Sequence, residues 1–120
     1  MKNILLIVTT LLSFSSLAKD SVPIMVGGNE NLDACTAYIL IKNGTELRVG
    51  PNEGYEVLMK IEKDLTGWSC SYSNEWSGVI FPLNGEYCGV SSPIPEEKAY
   101  SGPCLSGWVP SSQIELLAGG

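Results

Sequence analysis

The chain has 120 residues, thirteen acidic and seven basic, with no histidine and a formal charge of −6 at neutral pH. So acidic a surface repels phosphate backbones and anionic lipid, which argues against nucleic acid as a partner. It leaves a neutral or cationic partner, or a charged surface that serves only solubility.

Met1-Lys2-Asn3, the apolar run Ile4–Leu12 and small residues at Ser16 and Ala18 read as a secretory signal peptide over residues 1–18. The run is shorter than the roughly 20 apolar residues a spanning helix needs, so no membrane insertion is expected after cleavage. The expected location is the periplasm or the exterior. What remains is one domain's worth of chain, able to bury on the order of two thirds of its unfolded surface.

Residues 19–33 combine Val-Pro-Ile-Met-Val with Gly-Gly and four asparagine or aspartate turn formers, and read as a loosely docked leader before a domain at 34–120. Ala37–Ile41 (AYILI) is a short apolar run rich in strand formers, and so a buried strand. Asn43-Gly44 predicts a tight reversal, and with it a hairpin, into Glu46–Val49. Tyr55, Val57, Met59 and Ile61 alternate with charged residues, the pattern of a half-buried strand. Leu65–Tyr72, Trp76–Phe81, Gly107–Val109 and Ile114–Leu117 follow as further strands. No window sustains an apolar period of 3.6 over three turns, so the expected class is all-β, a small barrel or sandwich.

Cys35, Cys70, Cys88 and Cys104 form an even set in an exported chain, which predicts two disulfides. A metal site is not expected, because no Cys-x-x-Cys spacing occurs and no histidine is present. Of three possible connectivities, Cys88–Cys104 with Cys35–Cys70 is favoured. The segment between the later pair carries three prolines and two glycines and shows no strand alternation, so it reads as a surface excursion in need of a tether.

The stretch Leu47–Leu58 resembles the first half of the bacterial SH3 (SH3b, or SH3-like) family, whose line runs Val-Arg-x-Gly-Pro-x-x-x-Tyr-x-Val-(Ile/Leu). Leu47, Arg48, Gly50, Pro51, Tyr55, Val57 and Leu58 fall on it in register. Trp76 and Val79 resemble the family's Gly-Trp-x-x-Val, with Glu75 in place of glycine. Gly107-Trp108-Val109 resembles its Gly-Trp-Val. The resemblance implies an SH3-like barrel that recognises cell-wall peptide or another extended peptide, with residues 82–105 as an insertion.

Candidate ligand-binding residues are Arg48, Tyr55, Trp68, Trp76, Tyr100 and Trp108. Arg48 is also suited to bonding loop carbonyls or an acidic neighbour. Tyr55 and Trp76 are more readily read as packing residues, and Trp108 is divided between groove and core. Tyr72 and Tyr87 are further rings able to line a groove. No catalytic residue, cofactor or metal ligand is expected, since without histidine the Ser-His and Cys-His arrangements are impossible. The expected product is a monomeric, non-catalytic binding module. The alternative is an interaction or inhibitor protein that presents its Cys88–Cys104 loop to a secreted or envelope enzyme.

Overall fold

The computed structural model describes residues 19–119. The signal peptide expected at 1–18 lies outside them. Nine strands form, and no α-helix is present among the described residues: β1 Met25–Val26, β2 Ala37–Ile41, β3 Glu46–Arg48, β4 Val57–Lys60, β5 Leu65–Ser73, β6 Trp76–Phe81, β7 Lys98–Ala99, β8 Leu105–Pro110 and β9 Ile114–Gly119. A 3-10 turn, Ser111–Gln113, separates β8 from β9. Seven strands make one sheet in the order β4-β3-β8-β6-β5-β2-β9, and β1 pairs with β7 in a second, two-stranded sheet.

The sheet curls without closing. Strands β4 and β9 end it and are not paired with each other, so the closed barrel expected from the sequence is corrected to an open sheet. What holds the curl is a core on its concave side. Ile39 and Ile41 of β2, Leu47 of β3, Ile61, Val79 and Phe81 of β6 and Val109 of β8 meet there, all essentially inaccessible. The alternation of AYILI and of WSGVIF sends these residues to one face. Asn43-Gly44 forms a turn, with Gly44 at a φ of +95°, but the β2–β3 hairpin expected there does not form: β2 pairs with β5 and β9, and β3 with β4 and β8.

A second core lies on the opposite face of β5, β6 and β8. Ile80 and Trp108 are covered there by Ile24, Val26, Val90 and three of the cysteines. Strand β6 is therefore buried on both sides, with five of its six residues inaccessible. Both disulfides join the expected partners, Cys35 to Cys70 and Cys88 to Cys104.

The cover consists of the leader and the 82–105 insertion together. The leader is docked as an extended strap, contrary to the loose attachment expected. Val22 N–H donates to Val49 O, Tyr100 N–H to Ile24 O, and Trp108 Nε1–H to Val22 O at 2.9 Å. Val22, Ile24 and Val26 turn inward while Pro23 and Met25 face out, a period of two that needs only five residues. Main-chain bonds from Ala34 to Ser92 and from Cys35 to Val90 tie the insertion alongside. The insertion carries β7, where no strand was expected.

Candidate functional site

The outer face of β6 and β8 carries Trp76, Gly78 and Ile80 opposite Pro110, Trp108 and Ser106, in direct register. Strap and insertion cover the Ile80–Trp108 end. They stop short of the other end, where Trp76 and Pro110 stand side by side, half-buried. This uncovered end is the candidate site.

Two adjoining clefts meet at Trp76, Pro110 and Glu53. One, about 210 Å³, is further lined by Thr45, Glu46, Arg48 and Gln113. The other, about 370 Å³, is further lined by Tyr72, Glu75, Ser111 and Ser112. Together they make an open groove with an aromatic and proline floor and a carboxylate on either side. Tyr72, at 70% exposure, stands at its outer end.

The groove walls are fixed by local bonding. Ser111 N–H donates to Glu75 O at 2.8 Å, and the Ser77 and Ser111 hydroxyls lie 2.7 Å apart, so the 3-10 turn is latched to the β5–β6 reversal. On its other side the turn is held by Lys42 N–H, which donates to Gln113 O. The buried Thr45 hydroxyl donates to Lys42 O at 2.7 Å and contacts Gln113 Oε1. The loop from Gly50 to Tyr55 forms the remaining wall. Gly50 has no positive φ, so its backbone is not what demands glycine. A β-carbon there would run into the Tyr55 ring, which lies flat against it. Arg48 staples this loop: its guanidinium donates to Tyr55 O at 2.9 Å, to Glu53 O at 3.3 Å and to Glu46 Oε1 at 2.9 Å.

The six expected binding residues thus separate. Trp76 lines both clefts and Arg48 one of them, and Arg48 spends its donors on its own loop. Tyr55 backs the loop and lies 4.8 Å beneath the Lys19 ammonium. Trp108, only 4% exposed, belongs to the second core with its indole N–H taken by the leader. Tyr100 is also structural, its hydroxyl donating to Cys88 O at 2.8 Å and accepting from Cys104 N–H. Trp68 packs edge-on to Tyr38, with ring centroids 5.4 Å apart, on the β2–β5 pair.

Tyr72, named from the sequence as a ring able to line a groove, does so here, whereas Glu53, Glu75 and Pro110 were not assigned to the site. The only available signal for Pro110 was its position directly after Gly-Trp-Val, since its pairing with Trp76 depends on a register set 34 residues apart. Among the described residues no cluster of candidate metal ligands occurs, and no helix is long and apolar enough to cross a membrane. Glu86 is the titratable group with a clear displacement: its carboxylate sits below the ordinary value of 4.5, chiefly because backbone N–H groups of its own turn donate to it, that of Asn84 first. No family model matches the chain, and no curated protein or solved structure matches it.

Proposed function

We propose that the protein is an exported, non-catalytic binding module of SH3-like type that holds an extended peptide in the Trp76–Pro110 groove. The observation that carries this reading is the uncovered end of an otherwise covered sheet face. There an indole, a proline and a tyrosine ring line one open groove whose walls are latched by hydrogen bonds. Flat apolar rings in a rigid channel suit a peptide in extended form, which offers alternate side chains and little charge. The SH3-like assignment rests on the motifs named above. Leu47-Arg48 falls on β3, the Gly50–Tyr55 loop joins β3 to β4, Trp76 opens β6, and Gly107-Trp108-Val109 runs along β8. Two disulfides fit an oxidising compartment, and cell-wall peptide is the ligand the resemblance implies.

The acidic lips sharpen the choice of ligand. Arg48 is neutralised by Glu46, whereas Glu53 and Glu75 have no ion-pair partner among the described residues. A peptide with an amine or guanidinium is therefore preferred to an acidic one.

The test is retention of the protein on purified cell-wall material and on immobilised synthetic peptides, beside a Trp76→Ala variant. Retention lost in the variant, with its unfolding transition unchanged, supports the groove. Wild-type retention no better than that of an unrelated acidic protein ends the cell-wall reading. A second reading, contact with a protein partner through the insertion, is favoured by Leu83 and Tyr87 alone, which stand 43% and 73% exposed on the turn that begins it. Loss of partner binding on Tyr87→Ser, with Trp76→Ala silent, would select it.

A further inference from the structure

The chain contains two Asn-Gly pairs, Asn43-Gly44 and Asn84-Gly85, and the fold treats them differently. Both pairs are exposed, and both glycines take positive φ, +95° and +80°. Asparagine before glycine is the arrangement most open to loss of its side-chain amide, because the following nitrogen is unhindered by any β-carbon. What the reaction requires is a Gly N–H free to give up its proton and swing onto the asparagine Cγ.

At the first pair that nitrogen is taken. Gly44 N–H donates to Ile61 O at 2.7 Å, and Ile61 N–H donates back to Thr45 O at 2.7 Å. Asn43 N–H donates to Asp64 Oδ1 at 2.9 Å, and the neighbouring Thr45 hydroxyl is buried on Lys42 O. Ile61 follows the end of β4 and Asp64 precedes β5, so freeing Gly44 means breaking the end of the β3–β4 pairing. At the second pair, no acceptor for Gly85 N–H occurs among the described residues. The one clamp is the Glu86 carboxylate, which accepts from Leu83 N–H and Asn84 N–H and so leaves the Gly85 nitrogen itself unheld.

We infer that Asn84 is a site of spontaneous covalent modification in the folded protein, and that Asn43, with the same dipeptide, is protected by the bonds its turn makes to Ile61 and Asp64. In the first step Gly85 N gives its proton to water or hydroxide and attacks Asn84 Cγ. The side-chain nitrogen takes up a proton and leaves as ammonia, which closes a five-membered imide. Water then adds to one of the two imide carbonyls, and the ring opens to aspartate or isoaspartate at position 84. No oxidant, reductant or enzyme is involved. Either product sets a new carboxylate beside Glu86, and isoaspartate also lengthens the main chain by one methylene within the turn that presents Leu83 and Tyr87. Ageing thus alters the turn that begins the insertion and leaves the groove at Trp76 untouched.

Peptide mapping of the full chain, held folded in warm, mildly alkaline buffer and in parallel in guanidinium chloride, tests this by mass spectrometry with isoaspartate-sensitive fragmentation. Position 84 is expected to convert at least about fivefold faster than position 43 in the folded protein, the factor one net backbone hydrogen bond carries. In denaturant the two rates are expected to converge. Gly85→Ala should suppress conversion at 84 and leave 43 unchanged. Conversion at 43 keeping pace with 84 in the folded protein overturns the inference. So does a folded protein that stays intact at 84 while the unfolded chain reacts at both.

Discussion

Ile24 offers a direct measure of how firmly the leader belongs to the domain. Its side chain is 2% exposed and lies over Gly78 of β6, where a β-carbon would come 2.7 Å from Ile24 Cδ1, 3.0 Å from Ser71 Cβ and 3.4 Å from Trp108 Cη2. Ile24→Ala removes three carbons from this contact. At about 0.8 kcal/mol per methylene the transfer cost alone is about 2.4 kcal/mol. The residual cavity brings the expected loss to about 2–5 kcal/mol. Gly78→Ala overpacks the same spot from the other side and costs about 1–3 kcal/mol. The two changes share one space, so the double variant should fall short of the summed losses by about 1 kcal/mol, a coupling typical of residues in contact. Urea unfolding of the four proteins, followed by tryptophan fluorescence, gives all three quantities. An Ile24→Ala loss under about 0.5 kcal/mol, the range of ordinary surface changes, would mean that the leader is not packed as described. Strict additivity would mean that the two residues do not meet.

Arg48→Met should loosen the Gly50–Tyr55 wall by removing three donated bonds. The Arg48 side chain is 17% exposed and also holds two loop carbonyls, so the expected stability loss is about 1–3 kcal/mol, read from the same unfolding curves. Peptide retention is expected to weaken more than that loss implies, since the groove wall is what moves. Glu86 carries the pH prediction: its folded-state value is depressed, so the turn it closes is fully supported above the ordinary carboxylate value and released as pH falls through the lowered one. An NMR titration should find the Glu86 carboxyl midpoint below 4.5, with Leu83 and Asn84 amide shifts following it. Both amide responses should vanish in Glu86→Gln.

Elements whose reason is local were legible in the sequence. AYILI and WSGVIF became β2 and β6 over the expected residues, because each is an apolar run bounded by turn formers. The Cys88–Cys104 bridge was legible because a Pro- and Gly-rich excursion with cysteines at both ends has few other ways to be tied. The docking of the leader was not. Its inward residues span only Val22 to Val26, Pro23 interrupts them, and the surface that receives them comes from β6 and β8. The same holds for the groove. Trp76 was recognisable as a candidate from its motif. Its neighbours Pro110, Tyr72 and Glu53 reach it through pairings and loop placements that no local pattern encodes. Trp108 was undecided for a similar reason: a tryptophan near a strand end, with Gly107 before it and Pro110 two residues on, is buried or exposed according to whether another segment lies across it, and here the leader does.

The bond from Trp108 to Val22 spans 86 positions, which imposes a schedule on folding. Ribosomes deliver the receiving groove long after the segment that fills it, so Ile24 and Val26 must wait bare while most of the polypeptide is still being made. Their burial, and with it the outer half of the interior, comes among the last acts of maturation, and a nascent chain stalled before β8 would expose greasy residues suited to capture by a holding chaperone.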